Sequence, residues 1–434
     1  MTPLLIGLGA IAALLILIVL GLEIAFSLAL VGVAGLFLLG GLPLAQGVLS
    51  TVPYSSIASF TLVILPMFIL MGELAVAAGM AQNAYVAARA WLGRLPGGFM
   101  MTAIGASTVF AAASGSSMAA TVTIGRVSIA EMRRYGYEGG LAAGTVAVSG
   151  TLAALIPPSA LLVFYALLSD QSISAMLLAG IGPGLLSAAF FIATAYLLGK
   201  LFPAVVPRVA QRTDWRERLN SLRLIAPFGG LVLIVLGGIY SGLVTATEAS
   251  AFGAAAALVL LGLSGRLSQP VLRGALSSSA RISCMIFAII IGGMLFSRFL
   301  AFSGVPLALA GLIHGLDVPP ITVVLVMILI LTVLGLFVDP VGMLMLTLPF
   351  FLPIVRELGI DLVWFGVLVA LQAELGVITP PIGIHLFMVQ KIAPDIPLGS
   401  IIRGCLPYMG CQFLIVGLIL AFPEIALFLP GLVH

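Results

Sequence analysis

Two pairs of consecutive prolines interrupt apolar stretches of this chain: Pro157-Pro158 in LIPPSA and Pro380-Pro381 in ITPPIGIH. Proline lacks an N–H and clashes with the carbonyl one turn earlier, so each pair leaves backbone oxygens without helical partners. Backbone of that kind survives at membrane depth only where it is buried in protein or lines a cavity. Loosened carbonyls facing a cavity are ligands for a desolvated cation, and the hydroxyls of Ser114, Ser116, Ser117 and Thr379 add further neutral oxygens. Uncharged oxygen donors without clustered carboxylates suit Na⁺ better than a divalent metal. Interrupted helices in matching halves of a chain, offering carbonyls and terminal dipoles to ions and solute, are a device of secondary transporters.

Other chemistries fit less well. GSSM (115–118) lacks the G-x-S-x-G turn of a nucleophilic serine, and no histidine occurs in the first half of the chain. No G-x-x-x-x-G-K-[ST] loop is present to cradle the phosphates of a primary pump. Cys284, Cys405 and Cys411 lie in apolar segments without paired ligand spacing and read as packing residues. A passive channel is separated from a carrier by function: only a carrier moves solute uphill on a Na⁺ gradient. Small residues such as SGSS also pack helices closely in membranes, and the mirrored prolines favour the ligand reading over that one. Four acids, Glu73, Glu248, Asp339 and Glu374, sit in apolar surroundings where a charge is costly. Some of them read as capping or pairing groups; Asp339 ranks first among the four as a site residue and Glu374 last. His385 reads more readily as a satisfied buried histidine than as a metal ligand, and His314 and His434 receive no role.

The elements that position these residues follow from composition. With 62% hydrophobic and 8% charged residues and a mean hydropathy of +1.29, the chain is an all-α polytopic membrane protein. Residues 4–22 lack a basic leader and a small-residue cleavage site and read as a retained span. About ten full crossings are expected, near 4–22, 25–42, 58–79, 139–166, 176–199, 224–242, 246–263, 282–303, 362–391 and 401–429. Two further apolar regions, 98–129 around SGSS and 319–355 around Asp339-Pro340, read as re-entrant helical hairpins that return to their own side. With Arg94 placed in the cytoplasm, 15 of the 18 basic residues fall inside, leaving Arg298 and Arg356 outward and Arg126 in the first hairpin. The hairpins then enter from opposite faces, the first flanked by Arg94 and Arg133-Arg134, the second by Asp317 and Arg356.

The chain thus divides into N-terminal scaffold helices (1–57), a first repeat (58–200) with hairpin 98–129 and broken helix 139–166, a cytoplasmic connector with scaffold helices (201–281), and a second repeat (282–434) with hairpin 319–355 and broken helix 362–391. Tip and double proline are 42 positions apart in one repeat (Gly115 to Pro157) and 40 in the other (Pro340 to Pro380). The basic stretch 208–223 alternates with Asp214, Glu217 and apolar residues, which fits an amphipathic connector on the cytoplasmic leaflet and not nucleic-acid binding.

The whole chain resembles the large membrane subunit of tripartite ATP-independent periplasmic (TRAP) transporters. The resemblance is carried by PMFILMGELAVAAG (66–79), AAASGSSMAATVTIG (111–125) followed by EMRRYGY, SGTLAALIPPS (149–159), LGVITPPIGIHLF (375–387) and SGLVTATEASAFGA (241–254). It implies an inverted-repeat, elevator-type transporter of the bacterial or archaeal inner membrane, driven by Na⁺ and importing organic acids. It also implies two partners, a small four-helix membrane subunit and a periplasmic substrate-binding protein. By the same resemblance a first sodium site comprises Ser114, Ser117, Ala153, Ile156 and Pro158, and a second Gly376, Thr379 and Ile382 with tip backbone from Asp339 to Gly342. Ser116, Ser159, Pro381 and His385 are the candidate substrate contacts. Ala153, His385 and Ala246 depart from the glycine, asparagine and proline usual in the family. No organic cofactor is expected. The closest rival function is a stand-alone Na⁺-coupled dicarboxylate or citrate carrier that needs no binding protein.

Overall fold

A computed structural model describes residues 2–208, 214–314 and 318–432. Arg212, Asp317, His434 and the side chain of His314 lie outside the described residues. All regular structure among the described residues is helical. The first part runs α1 (Pro3–Val19), α2 (Ile24–Ile57), a 3-10 turn (Phe60–Val63), α3 (Ile64–Ala77), α4 (Met80–Leu92), α5 (Gly98–Ser114), α6 (Ser117–Arg134), α7 (Gly139–Gly150), α8 (Ala160–Ser169) and α9 (Ile173–Leu201). The connector region holds α10 (Trp215–Val232), which continues through a π-helical turn into α11 (Gly238–Tyr240), and α12 (Ala246–Leu263). The last part runs α13 (Gln269–Ser303), α14 (Val305–His314), α15 (Pro320–Gly335), α16 (Pro340–Glu357), α17 (Leu362–Gly376), α18 (Ile384–Ile392), α19 (Leu398–Ala421) and α20 (Glu424–Gly431).

Eight helical segments among the described residues are long and apolar enough to cross a bilayer alone, including α2, α9, α13, α19 and the hairpin arm α16. The expected broken helices are present as pairs of half-helices, α7 with α8 and α17 with α18, each too short to span by itself. In the two regions expected to form hairpins the chain makes the helix pairs α5–α6 and α15–α16.

Three boundaries differ from the sequence reading. The second helix continues past residue 42 to Ile57, bending at Gly40 and Gly41, where Gly41 takes φ +65. The expected single span 401–429 is divided at Phe422 into α19 and α20, because Pro423 cannot supply the next helical N–H. Two short helices, α4 and α14, follow α3 and α13 after left-handed glycines, Gly79 at φ +79 and Gly304 at φ +71. Each repeat therefore begins with a spanning helix, a glycine bend and a short arm leading into its hairpin.

Packing sorts the helices into two groups. In one, α13 lies along α2, α1 along α2 and α12 along α3; in the other, α5, α6, α7, α9 and α19 pack together with α17, α18 and α20. Without a hydrophobic drive between helices in lipid, close backbone approach supplies the cohesion. Gly404 of α19 lies so near α7 that a Cβ there would come within 2.1 Å of the Gly140 carbonyl oxygen. The groups meet where α3 touches α5 and α13 touches α16, at the two hairpins.

Candidate functional site

The first hairpin turns at Gly115, which ends α5 in the left-handed region at φ +57. A Cβ on Gly115 would stand 2.3 Å from the Pro158 carbonyl oxygen, so only glycine fits here. Ser116 then caps α6, its hydroxyl accepting from the Ala119 N–H at 3.3 Å. Across from this tip, α7 gives way to a 3-10 turn (Thr151–Ala154) and irregular backbone through Pro157-Pro158, a cis pair. Ser159 restarts the helix by accepting from the Leu162 N–H at 3.3 Å while donating to the Ala154 carbonyl. The Ala160 N–H donates to the Gly115 carbonyl oxygen at 3.4 Å, joining break to tip.

The second repeat reaches the same arrangement by different contacts. Asp339 caps α16, one carboxylate oxygen accepting from the Val341 and Gly342 N–H groups at 3.1 and 3.2 Å. The hairpin arm α15 rests on α17 through Gly335 and Gly376, and a Cβ on Gly376 would meet the Gly335 carbonyl oxygen at 2.5 Å. One turn before Gly335, Thr332 donates to the Gln372 amide oxygen at 2.9 Å. The second break also holds a cis pair, Pro380-Pro381. The Thr379 hydroxyl donates to the Leu375 carbonyl at 2.6 Å, and the His385 N–H bridges the break to the Val377 carbonyl at 3.0 Å.

Both tips border one cleft. Ser114 to Ala119 and Asp339 to Val341 form its polar end, Glu73 of α3 also lines it, and Leu65, Phe68 and Ile69 of α3, Phe164 of α8, and Ile282, Met285 and Ile286 of α13 form apolar walls. No lysine, arginine or histidine among the described residues lines it. The α6 N-terminus, with its partial positive charge, opens onto it instead, whereas that of α16 is already met by the Asp339 carboxylate.

Of the residues assigned from the sequence, Ser114, Ser116, Ser117 and Asp339 line the cleft. Ala153, Ile156 and Ser159 are buried, and Pro158 lies against Gly115 at the first tip. Gly342 is buried beneath the Asp339 cap, and Gly376 is buried against Gly335. Thr379 is half-buried, while Pro381 and Ile382 are exposed. His385 is fully buried and does not line the cleft: its Nδ1 lies 3.1 Å from the Ala147 carbonyl oxygen and 3.3 Å from the Thr121 hydroxyl.

The acids sort differently from their sequence ranking. Asp339 serves its own helix N-terminus, and Glu248 closes a capping box with Thr245. Glu374, ranked last, borders the cleft with its carboxylate beside the Ser117 hydroxyl and one oxygen without a hydrogen-bond partner. Its position two residues before Gly376 was a usable signal, since an acid entering the helix break from the buried side has few other reasons to be there. The Ser114 hydroxyl is likewise buried and without a hydrogen-bond partner among the described residues. Hydroxyl oxygens with spare lone pairs, beside interrupted backbone, are the donor set a small monovalent cation needs.

Paired hairpins and interrupted helices, meeting at a cleft within an apolar helical body, define a multi-pass membrane transporter. The chain belongs to a family within that class: residues 11–425 match the model of the tripartite ATP-independent periplasmic transporter, DctM component, and the chain is a large permease subunit, not an enzyme. It is 34% identical over 375 residues to the C4-dicarboxylate TRAP transporter large permease protein DctM of Pseudomonas aeruginosa, covering 86% of each chain. It is 32% identical over 424 residues to the sialic acid TRAP transporter large permease protein SiaM of Vibrio cholerae, covering 95% of each. Its fold is shared with the Alcanivorax borkumensis YdaH transporter at a TM-score of 0.68 and 16% identity, covering 94% of this chain and 98% of that one.

Proposed function

We propose that this subunit couples inward Na⁺ movement to uptake of an organic acid anion, of the dicarboxylate, keto acid or sugar acid class, handed over by a periplasmic binding protein. The observation that carries the reading is the single cleft bordered by both hairpin tips, with the partnerless Ser114 hydroxyl at its polar end. Na⁺ is cargo, held by Ser114, Ser117 and the carbonyls of Ala153, Ile156 and Pro158 at one site. At the other it is held by Gly376, Thr379 and Ile382 with tip backbone from Asp339 to Gly342. The anion then docks against the cation-loaded tips and the N-terminus of α6, a favourable place for a carboxylate where no basic side chain among the described residues lines the cleft.

Transport follows as an elevator movement, in which the group containing both hairpins slides against α1–α3, α12 and α13. Each positive charge moved inward through 100 mV supplies about 2.3 kcal/mol, so two support roughly a thousandfold accumulation. The substrates for which these two relatives are named, a C4-dicarboxylate and sialic acid, are both organic acids, which supports the substrate class. A small four-helix membrane subunit completes the transporter in the bacterial or archaeal inner membrane.

The experiment is uptake by proteoliposomes under an imposed Na⁺ gradient, with and without a candidate small subunit and binding protein. Uptake that needs all components and Na⁺ is expected. Na⁺-independent uptake removes the mechanism, and uptake by this chain alone favours a stand-alone dicarboxylate or citrate carrier.

A further inference from the structure

His385 sits where three separate elements meet, and the hydrogen bonds around it form a continuous path. The Thr121 hydroxyl of α6 donates to the Ser117 carbonyl at 2.9 Å, which uses its only proton. Its lone pair then faces His385 Nδ1 at 3.3 Å, and the Ala147 carbonyl of α7 faces the same nitrogen at 3.1 Å. Both neighbours accept, so Nδ1 carries the proton and donates to them, which assigns the tautomer from the network. The backbone of His385 meanwhile bridges the second break to Val377. Gly150, just before the first break, leaves the room Thr121 needs: a Cβ there would fall 1.8 Å from the Thr121 hydroxyl oxygen.

We propose that His385 is a positioning residue that ties the first hairpin tip to the second helix break, so that the cation sites of the two repeats fill cooperatively. The inference rests on the Na⁺-coupled reading above. Its physical content is that Ser117, four residues before Thr121, and Val377, eight before His385, belong to one hydrogen-bonded unit. Drawing in the first tip around a cation moves the α6–α18 contact and with it the backbone of the second break. Coupling of this kind is an interaction free energy between sites and is reciprocal. Nε2 of His385 has no partner among the described residues and is not needed by the path.

The test is the Na⁺ dependence of uptake by the complete transporter in proteoliposomes, read as the Hill coefficient and half-saturating Na⁺. Wild type is expected to be cooperative. T121V, nearly isosteric, and H385A are each expected to bring the Hill coefficient close to 1 and raise half-saturating Na⁺ several-fold while keeping Na⁺-dependent uptake. The double variant is expected to be no worse than the more affected single one, because both cut the same path. H385N, whose amide places an N–H near the Nδ1 position, is expected to restore cooperativity, which a merely structural role does not predict. An unchanged Hill coefficient in T121V, or a wild-type coefficient of 1 with uptake still Na⁺-dependent, overturns the inference. Uptake that ignores Na⁺ in the wild type overturns the reading beneath it instead.

Discussion

Gly115 and Pro158 meet backbone to backbone: the glycine's missing Cβ would lie 2.3 Å from the proline's carbonyl oxygen, and the Gly115 carbonyl accepts from Ala160 two residues further on. A hairpin tip and a helix break, 43 positions apart, thus fix each other's conformation. Replacing Gly115 by alanine forces a left-handed residue at a cost of about 1–2 kcal/mol and drives its methyl into Pro158. Lower thermal stability in detergent is expected together with a several-fold rise in half-saturating Na⁺. A variant with wild-type values in both measurements removes the tip–break contact from the mechanism.

The matching contact of the second repeat predicts a graded series. G376A places a methyl 2.5 Å from the Gly335 carbonyl oxygen, whereas the nearest atom to a methyl in G335A is the Gly376 Cα at 3.0 Å. Uptake by G376A is expected to fall further than uptake by G335A, with membrane insertion intact in both. Equal activity of the two variants contradicts the close approach of α15 and α17.

For the ligands themselves, S114A and T379V are the informative changes. The Ser114 hydroxyl has no hydrogen-bond partner among the described residues, so removing the oxygen should leave the unfolding temperature nearly unchanged and raise half-saturating Na⁺. Thr379 donates to Leu375, and valine costs that bond, about 1 kcal/mol, in addition to the lost oxygen. Unchanged Na⁺ dependence in both variants excludes these hydroxyls as ligands.

Ser159 entered the sequence reading as a substrate contact, and its geometry makes it a cap. It holds the Leu162 N–H and the Ala154 carbonyl, on either side of the break, with no exposed surface. S159A is expected to lose about 1 kcal/mol of stability, the usual worth of a helix cap. Selectivity among competing organic acids is expected to stay the same. A changed order of competing substrates, with stability preserved, returns Ser159 to the substrate site.

Much of this architecture is legible one residue at a time. The two PP pairs, the SGSS tip and the Asp339-Pro340 tip announce the interruptions, because proline and left-handed glycine constrain backbone whatever surrounds them. The arms α4 and α14 are not legible in the same way: the expected spans end at 79 and 303, at the glycine bends, and helices of 13 and 10 residues beyond them carry no spanning-length hydropathy signal. The break at Phe422 was masked, its proline lying in a stretch as apolar as the helices on either side.

What the sequence determined by itself is the class: a chain too apolar for water, with paired interruptions that leave neutral oxygens unmatched. Which oxygens share a cleft was decided only by tertiary structure. Ser114 and Glu374 are 260 positions apart yet border the same space, whereas His385, three residues after Ile382, turns away from it to join Thr121 and Ala147. The reason is physical: local backbone chemistry fixes where a helix must stop, but which side chains then face one another depends on the packing of helices distant in the chain.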